Sequence, residues 1–357
     1  MTHFLPTDSP ASQGMCPQRL EHASALLAAE VAERRVAAAS ILVARNGRVV
    51  QHVGHGAAPD AVYLLASITK PVNAVAVLLL VERGLVSLDD PVARYLPEFA
   101  GPDRAAVRVR DLLTHTSGLP DMLPENLALR RAHAPLSAFV QGVCTTPLLY
   151  PPGTGFEYQS MGTLLAGEIV QRVSGRPLRT FYQQDIFEVL DMHQSSLGLG
   201  GRPIANTVWC QYESSPDVAL FGANTPYWRD MGHPWGGMHA TVSDLALLLQ
   251  AFLNGGALGG RTLLGRATVQ RMISDQNTAI GKPWGLGWGL ATSPVWVYCG
   301  ELVSPRTFGH SGATGTVAWA DPDTQVQCVI LTSRPTAHDD GRLLRVVSNA
   351  VAASVVG

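Results

Sequence analysis

Charge is scarce in this chain. Asp, Glu, Lys and Arg make up 15% of its 357 residues, against roughly 25% in an ordinary soluble domain. Lysine is almost missing, with Lys70 and Lys282 the only two. The 26 basic residues are scattered and offset by 28 acidic ones, for a formal net charge of −2. That leaves no basic footprint for a polyanion, so no nucleic-acid partner is expected. Long apolar runs are missing as well. The longest, Ala74 to Val81, ends at Glu82 and Arg83 and falls far short of the ~20 residues that cross a hydrocarbon core, so no membrane span is expected. The opening residues MTHFLPTDSPASQGMCPQRL have neither the basic start nor the apolar stretch of a secretory signal, and a cytoplasmic location is expected. Cys16, Cys144, Cys210, Cys299 and Cys328 are odd in number and never form a CxxC pair. Neither a disulfide framework nor a thiolate zinc site is indicated, and reduced, mostly buried thiols are expected.

What is there is apolar and rich in turns. Hydrophobic residues make up 46% of the chain, enough for one large domain or two coupled ones, and 35 Gly with 24 Pro point to many tight turns. Arg19 to Val36 carries apolar residues at helical spacing after Pro17, which predicts an opening helix. SILVAR and RVVQHV flank Asn46-Gly47, the strongest short-range hairpin signal. Between about residues 68 and 255 the periodic faces are helical: Ile68 to Arg83, Arg110 to Leu113, Thr163 to Val173, Leu178 to Leu190 and Ser243 to Leu253. After Gly285, GLGWGLAT, TVAWAD and QVQCVILTS read as strands, with a turn at Asp321 to Thr324, and Arg342 to Val356 reads as a closing helix. The pattern predicts an α/β (α+β) fold. Residues 18–66 and 256–357 would form a sheet domain from both termini, residues 67–255 an inserted, mainly helical domain, and the active site would lie between them.

The sharpest local signal is Ser67-Ile68-Thr69-Lys70, just before the apolar run. With Ser67 as the helix cap, Ser67 and Lys70 share one face, which brings a hydroxyl within reach of an amine. Serine is a weak nucleophile until a base takes its proton, and a desolvated lysine is one such base. The helix N-terminus adds N–H groups for a developing oxyanion. With 22 serines and two lysines, random placement gives on the order of 0.1 such pairs per chain. Taken alone, the four residues also fit a capping serine followed by a solvated lysine.

Further motifs follow in order. LLASITK, VERGLVSLDDPVARYLPEF, DLLTHTSGLPD, PPGTGFEYQSMGTLLAGEIV, WGGMHATVSDLALLLQAFLNGG and FGHSGATG span about residues 20 to 335. Through them the chain resembles the serine β-lactamase and penicillin-binding-protein superfamily, in its class C-like branch of D,D-peptidases and family VIII-type esterases. The resemblance implies a β-lactamase-like antiparallel sheet flanked by terminal helices, with an inserted helical domain. It implies Ser67 as the acylated nucleophile, Lys70 as the group lowering its proton affinity, and Tyr158 as general base and acid. A phenol serves near neutrality if adjacent Lys⁺ stabilises its phenolate. The backbone N–H groups of Ser67 and Ala313 would form the oxyanion hole. His310-Ser311-Gly312 would form the pocket edge, Gly312 giving close approach and His310 holding a substrate carboxylate or assisting Tyr158. Met122, Tyr227, Trp235 and Trp288 fall in loops that the resemblance places around the pocket.

Two departures matter. Ser160 stands where class C lactamases carry an Asn that positions both the lysine and the substrate amide, and His310 stands where many carry Lys. The first changes the donor and acceptor set, and the second makes carboxylate attraction pH-dependent. Other chemistries lack their motifs, since the chain has no GxSxG, no HExxH and no GxxxxGK[ST]. His52 and His55 would face opposite sides of a strand, so no metal site is expected. The expected function is a serine hydrolase, needing no metal or cofactor, that cleaves small-molecule carboxylic esters through a Ser67 acyl-enzyme. The alternatives are a D-amino-acid peptidase or amidase, a weak β-lactamase acting on amide substrates, and a non-catalytic ligand-binding homologue. Oligomeric state has no signature in the sequence.

Overall fold

Asn46 and Gly47 both adopt positive φ, 53° and 74°, as a two-residue type I′ turn requires. They fold Ala39–Arg45 (β1) back against Arg48–His55 (β2) in the computed structural model, which describes residues 5–357. The first four residues of the opening segment therefore lie outside the description. The remaining strands are Tyr63–Leu64 (β3), Ser196–Leu197 (β4), Met238–Ala240 (β5), Ala257–Leu258 (β6), Arg261–Thr262 (β7), Gly289–Leu290 (β8), Phe308–Gly312 (β9), Thr316–Asp321 (β10) and Val326–Thr332 (β11). The main sheet runs β2-β1-β11-β10-β9-β8, antiparallel throughout. The two ends of the chain meet at its centre, where Ile41 of β1 faces Ile330 of β11.

Strand alternation divides the apolar residues between two faces. Ile41, Val43, Val317, Trp319, Cys328 and Ile330 bury one face against Pro17–Ala32 (α1) and the closing helix Arg342–Ala352. Leu42, Ala44, Ala318, Ala320, Val329 and Leu331 bury the other beneath the Val242–Leu253 helix and the helical middle of the chain. Each fully buried aliphatic side chain contributes about 1.5–3 kcal/mol, so these two faces dominate the stability of the sheet. The helix Thr69–Glu82 (α2) is buried on every side from Thr69 to Leu80. A helix of that kind is central to its layer.

Three expectations need correction. The strand expected in GLGWGLAT shrinks to two residues, because Gly287 takes a φ of 80° and Gly285 N–H closes a turn onto Trp288 O at 2.9 Å. Leu178 to Leu190 is α-helical only to Tyr182 and continues as a π-helical turn, Gln183–Phe187. The wider turn brings Phe187 edge-on to Tyr182, with ring centroids 6.0 Å apart. Ser67 does not cap α2 either, since it sits inside a 3₁₀ turn, Ala66–Ile68, that leads into the helix. The Thr69 hydroxyl fixes that turn, donating to Ala66 O at 2.7 Å and accepting Met238 N–H at 3.0 Å. His52 and His55 have separate partners on β2, Asp60 and the Ser24 hydroxyl. Among the described residues no helix is long and apolar enough to cross a membrane. All five cysteines are free, and all but Cys16 are buried.

The end of β9 is clamped onto the residues that precede Ser67. Thr314 Oγ1 donates to Leu64 O at 2.7 Å, and Thr316 Oγ1 donates to Leu65 O at 2.9 Å. The approach is so close that a Cβ on Gly312 would lie 2.0 Å from Leu65 O and 2.3 Å from Thr316 Oγ1. Gly312→Ala is therefore expected to push β9 away from the serine turn, lowering the melting temperature and cutting hydrolytic kcat by about 10²-fold, the usual cost of an ångström-scale misplacement. A variant with wild-type melting and turnover would show that this contact has no bearing on the site.

Candidate active site

Ser67 follows Ala66, whose φ of +48° is left-handed, a conformation that costs a non-glycine residue about 1–2 kcal/mol. The strain persists because the flanking backbone is over-determined. The Leu64 and Leu65 carbonyls are gripped from the β9–β10 turn and from β10, and Leu65 N–H donates to Met238 O at 2.9 Å. In the first turn of α2, Lys70 Nζ lies 3.1 Å from Ser67 Oγ and donates to Trp235 O at 3.2 Å. The same Nζ stands 4.6 Å from the centre of the Tyr158 ring. Lys70 is only 3% exposed. Burial pulls its amine down to about 7, with the nearby Asp121 carboxylate pulling the other way.

Tyr158 behaves in the opposite sense. Burial pushes its phenol well above the ordinary value, and a hydrogen bond with the Ser67 side chain only partly offsets this. At neutral pH the phenol is therefore protonated, and the lysine is the group balanced between its two states. The expectation from the sequence has Lys⁺ stabilising a phenolate, and burial disfavours both of those charged forms.

Two buried histidines complete the cluster, and both are neutral. His310, 1% exposed, donates from Nδ1 to Ser311 O at 2.8 Å, so its Nε2 carries a lone pair with no protein partner among the described residues. Burial, reinforced by the charge of Lys70, brings His310 down to about 3. His115, in the THTSGLPD loop, is held well below its usual value by burial, with Lys70 and His310 adding to the effect. Its ring lies 4.6 Å from that of Tyr158.

Ser160 is also inside the site, but it faces another protein group. Its hydroxyl donates to Asp121 Oδ1 at 2.7 Å and its N–H to the same oxygen at 2.8 Å. Gly312 and Ala313 lie at the β9 edge beside the serine turn, Ser311 is half-buried, and Ala313 is exposed. The structure thus brings Ser67, Lys70, Tyr158, Ser160 and His310 into one cluster with the β9 edge beside it. A cavity of about 510 Å³ lined by Leu5, Asn46, Leu247, Gln250 and Asn254 shares no residue with this cluster.

A family model described as Beta-lactamase matches residues 23–352. The chain belongs to the beta-lactamase family. It is 28% identical over 327 residues to an Escherichia coli K12 protein named "Putative D-alanyl-D-alanine carboxypeptidase", covering 81% of this chain and 73% of that protein. Among solved structures, a penicillin-binding protein homologue from Caulobacter crescentus aligns with a TM-score of 0.75 at 26% identity, over 94% of this chain and 99% of that one. A structure titled as a family VIII carboxylesterase aligns with a TM-score of 0.74 at 22% identity, over 94% and 98% of the two chains. The β-lactamase-like α/β fold, with its antiparallel sheet and many helices, agrees with all of these matches.

Reading the residues alone missed three members of this beta-lactamase-family site. Asp121 and His115 both lie in DLLTHTSGLPD, but nothing in that spacing says that one faces Ser160 and the other Tyr158. Trp284 packs on Tyr158, His310, His115 and Phe156, and carries no motif at all. Of the loop aromatics singled out, Trp235 reaches Lys70 through its carbonyl, whereas Trp288 packs on Phe252 and Phe308 in the core. Tyr227 stacks on His133 and donates its hydroxyl to Ala134 O, and Met122 packs against the core.

A buried amine opposes folding while it is charged. The ordinary lysine value of 10.5 falls to about 7 in the folded chain. The penalty is therefore present in full below pH 7 and disappears as pH rises towards 10.5. Lys70→Met should raise the melting temperature by a few degrees at pH 6 and by less at pH 10, an expectation scaled from about 2–4 °C per kcal/mol. Thermal unfolding at the two pH values checks it, and an equal shift at both would mean that Lys70 carries no such penalty.

Proposed function

We propose that this member of the beta-lactamase family is a carboxylesterase acting on uncharged esters. The observation that carries the reading is the state of His310. The resemblance puts a lysine at this position in many lactamases, but here the side chain is buried and neutral, and its one N–H is spent on Ser311 O. It offers no positive charge to a substrate carboxylate. The Ser160 hydroxyl is likewise engaged by Asp121 and is not free to donate to an acyl amide. Peptides ending in D-alanine and β-lactams carry both of those groups, and a neutral ester needs neither. The solved structure titled as a family VIII carboxylesterase supports the reading at the level of fold.

The chemistry follows from the two opposed proton affinities. Neutral Lys70 accepts the Ser67 proton as Oγ attacks the ester carbonyl, and the N–H groups of Ser67 and Ala313 hold the oxyanion. Tyr158, kept protonated by burial, gives its proton to the departing alkoxide and is reprotonated from the Lys70 ammonium. Water then attacks the acyl carbon, and its proton returns by the same two groups while Ser67 leaves.

Three outcomes are expected. For p-nitrophenyl butyrate, kcat/KM should rise with pH along a limb near 7, because protonated Lys70 cannot accept the serine proton. Tyr158→Phe should slow ethyl butyrate hydrolysis by about 10²–10⁴-fold, the usual span for a positioned acid or base. It should slow the p-nitrophenyl ester less, since nitrophenolate leaves without a proton. The p-nitrophenyl monoester of succinic acid should turn over at least ~10-fold less efficiently than the butyrate, as expected where no cation pairs with its carboxylate. The name of the Escherichia coli relative favours a second reading, a D-alanyl-D-alanine carboxypeptidase. Faster cleavage of a D-alanyl-D-alanine peptide than of either ester would put that reading in its place.

A further inference from the structure

One residue makes hydrogen bonds on both sides of Tyr158. The backbone carbonyl of His115 accepts Glu157 N–H at 3.0 Å, and its Nδ1 accepts Gln159 N–H at 3.1 Å. His115 is the residue that ends helix Val109–Thr114 (α3), and its φ of 62° turns the chain sharply there. Histidine is among the few residues enriched in that left-handed region. The turn aims the carbonyl and the ring of the same residue at one short segment. The ring itself lies against the Tyr158 ring and edge-on to Trp284, with centroids 4.6 Å and 5.0 Å away. Because Nδ1 accepts, the ring proton sits on Nε2, which is buried with no partner among the described residues. Of the other contacts from this loop, Ser117 Oγ to Gln159 Oε1 at 2.6 Å and Gln159 Nε2 to Asp111 O at 3.2 Å hold the Gln159 side chain, and Asp121 accepts the N–H of Ser160, one residue beyond the bracketed segment.

We propose that His115 is a positioning residue for Tyr158: its carbonyl and Nδ1 bracket residues 157–159 and hold the phenol against Ser67 and Lys70 in the geometry that proton transfer requires. The inference rests on Tyr158 being the proton-transfer group. It also gives His115 a reason to be a histidine, because the residue must tolerate a left-handed backbone, present an acceptor one ring atom from Cγ, and fill the space beside two aromatic rings.

The test uses His115→Gly, which keeps the left-handed backbone and removes the acceptor, and His115→Asn, which keeps the backbone and offers Oδ1 where Nδ1 stood. With ethyl butyrate as substrate, the glycine variant should lose about 10²-fold in kcat with KM within about threefold, and the asparagine variant should return to within about tenfold of wild type, as misplacement and restoration of a catalytic group predict. In a Tyr158→Phe background, His115→Gly should cost little more than Tyr158→Phe alone, because the two residues act as a unit. Equal kcat losses in both backgrounds, wild-type kcat in the glycine variant, or an asparagine variant as slow as the glycine one would each overturn the proposal. If the glycine variant does not fold, His115→Ala removes the same acceptor and replaces it in each comparison. Full activity in Tyr158→Phe itself would instead remove the assignment of Tyr158, a separate failure read from that single variant.

Discussion

The site depends on an amine placed where water cannot solvate it. Lys70 is one of two lysines in the chain, and it lies on a helix buried on every side, so its charged form is disfavoured by the same packing that makes α2 the centre of its layer. That packing lowers one proton affinity and raises the other. The lysine comes down into the range where it can accept a proton, and the phenol stays protonated. Had either group been solvated, the pair would have kept its ordinary order, with charged lysine beside neutral phenol and no acceptor for a serine proton. The cost falls on stability, and it is a cost of the kind that functional sites carry and cores do not.

Holding this arrangement requires contacts from distant parts of the chain. The serine turn is strained at Ala66, and the groups that keep it so come from β5, the β9–β10 turn and β10, more than 160 residues further along. The sheet can supply them because β1 and β2 are sealed to β11, which brings the two ends of the chain together and leaves the β9 edge facing the helical region. Gly312 is the point of closest approach, with a carbonyl on one side and a hydroxyl on the other.

Much of this was legible in the sequence where a single physical rule decides the outcome. Asn46-Gly47 allows left-handed φ at two successive residues and so specifies a hairpin. The β-prone runs TVAWAD and QVQCVILTS on either side of a turn specify two strands, and the apolar run Ala74 to Val81 after Lys70 specifies a helix. The resemblance carried Ser67, Lys70 and Tyr158 into one place. What was not legible depends on geometry that spacing does not encode. Three glycines in GLGWGLAT favour turns as much as they permit a strand. Whether Ser67 or Thr69 fixes the start of α2 depends on where Met238 arrives. The order of the two proton affinities depends on burial, which has no signature in four residues. Asp121 and His115 stood in a recognised loop, yet the groups they meet, Ser160 for one and the segment around Tyr158 for the other, depend on the folded path of that loop.

The charge of the cluster bears on what it can accept. Asp121 is the anion that acts on both Lys70 and Tyr158, and it raises the proton affinity of each. For the amine this opposes burial and keeps the lysine near the middle of its range. For the phenol it adds to burial and reinforces the protonated state. One carboxylate therefore favours the protonated form of both the lysine and the phenol. A substrate bearing its own carboxylate would add a second anion beside Asp121, in a cluster whose two histidines are neutral and whose single lysine, in the mechanism we propose, starts the reaction uncharged. It would bind best with Lys70 protonated, the state that cannot accept the serine proton, so affinity and reactivity would oppose each other. An uncharged ester escapes that conflict, because its binding does not depend on the protonation state of the base.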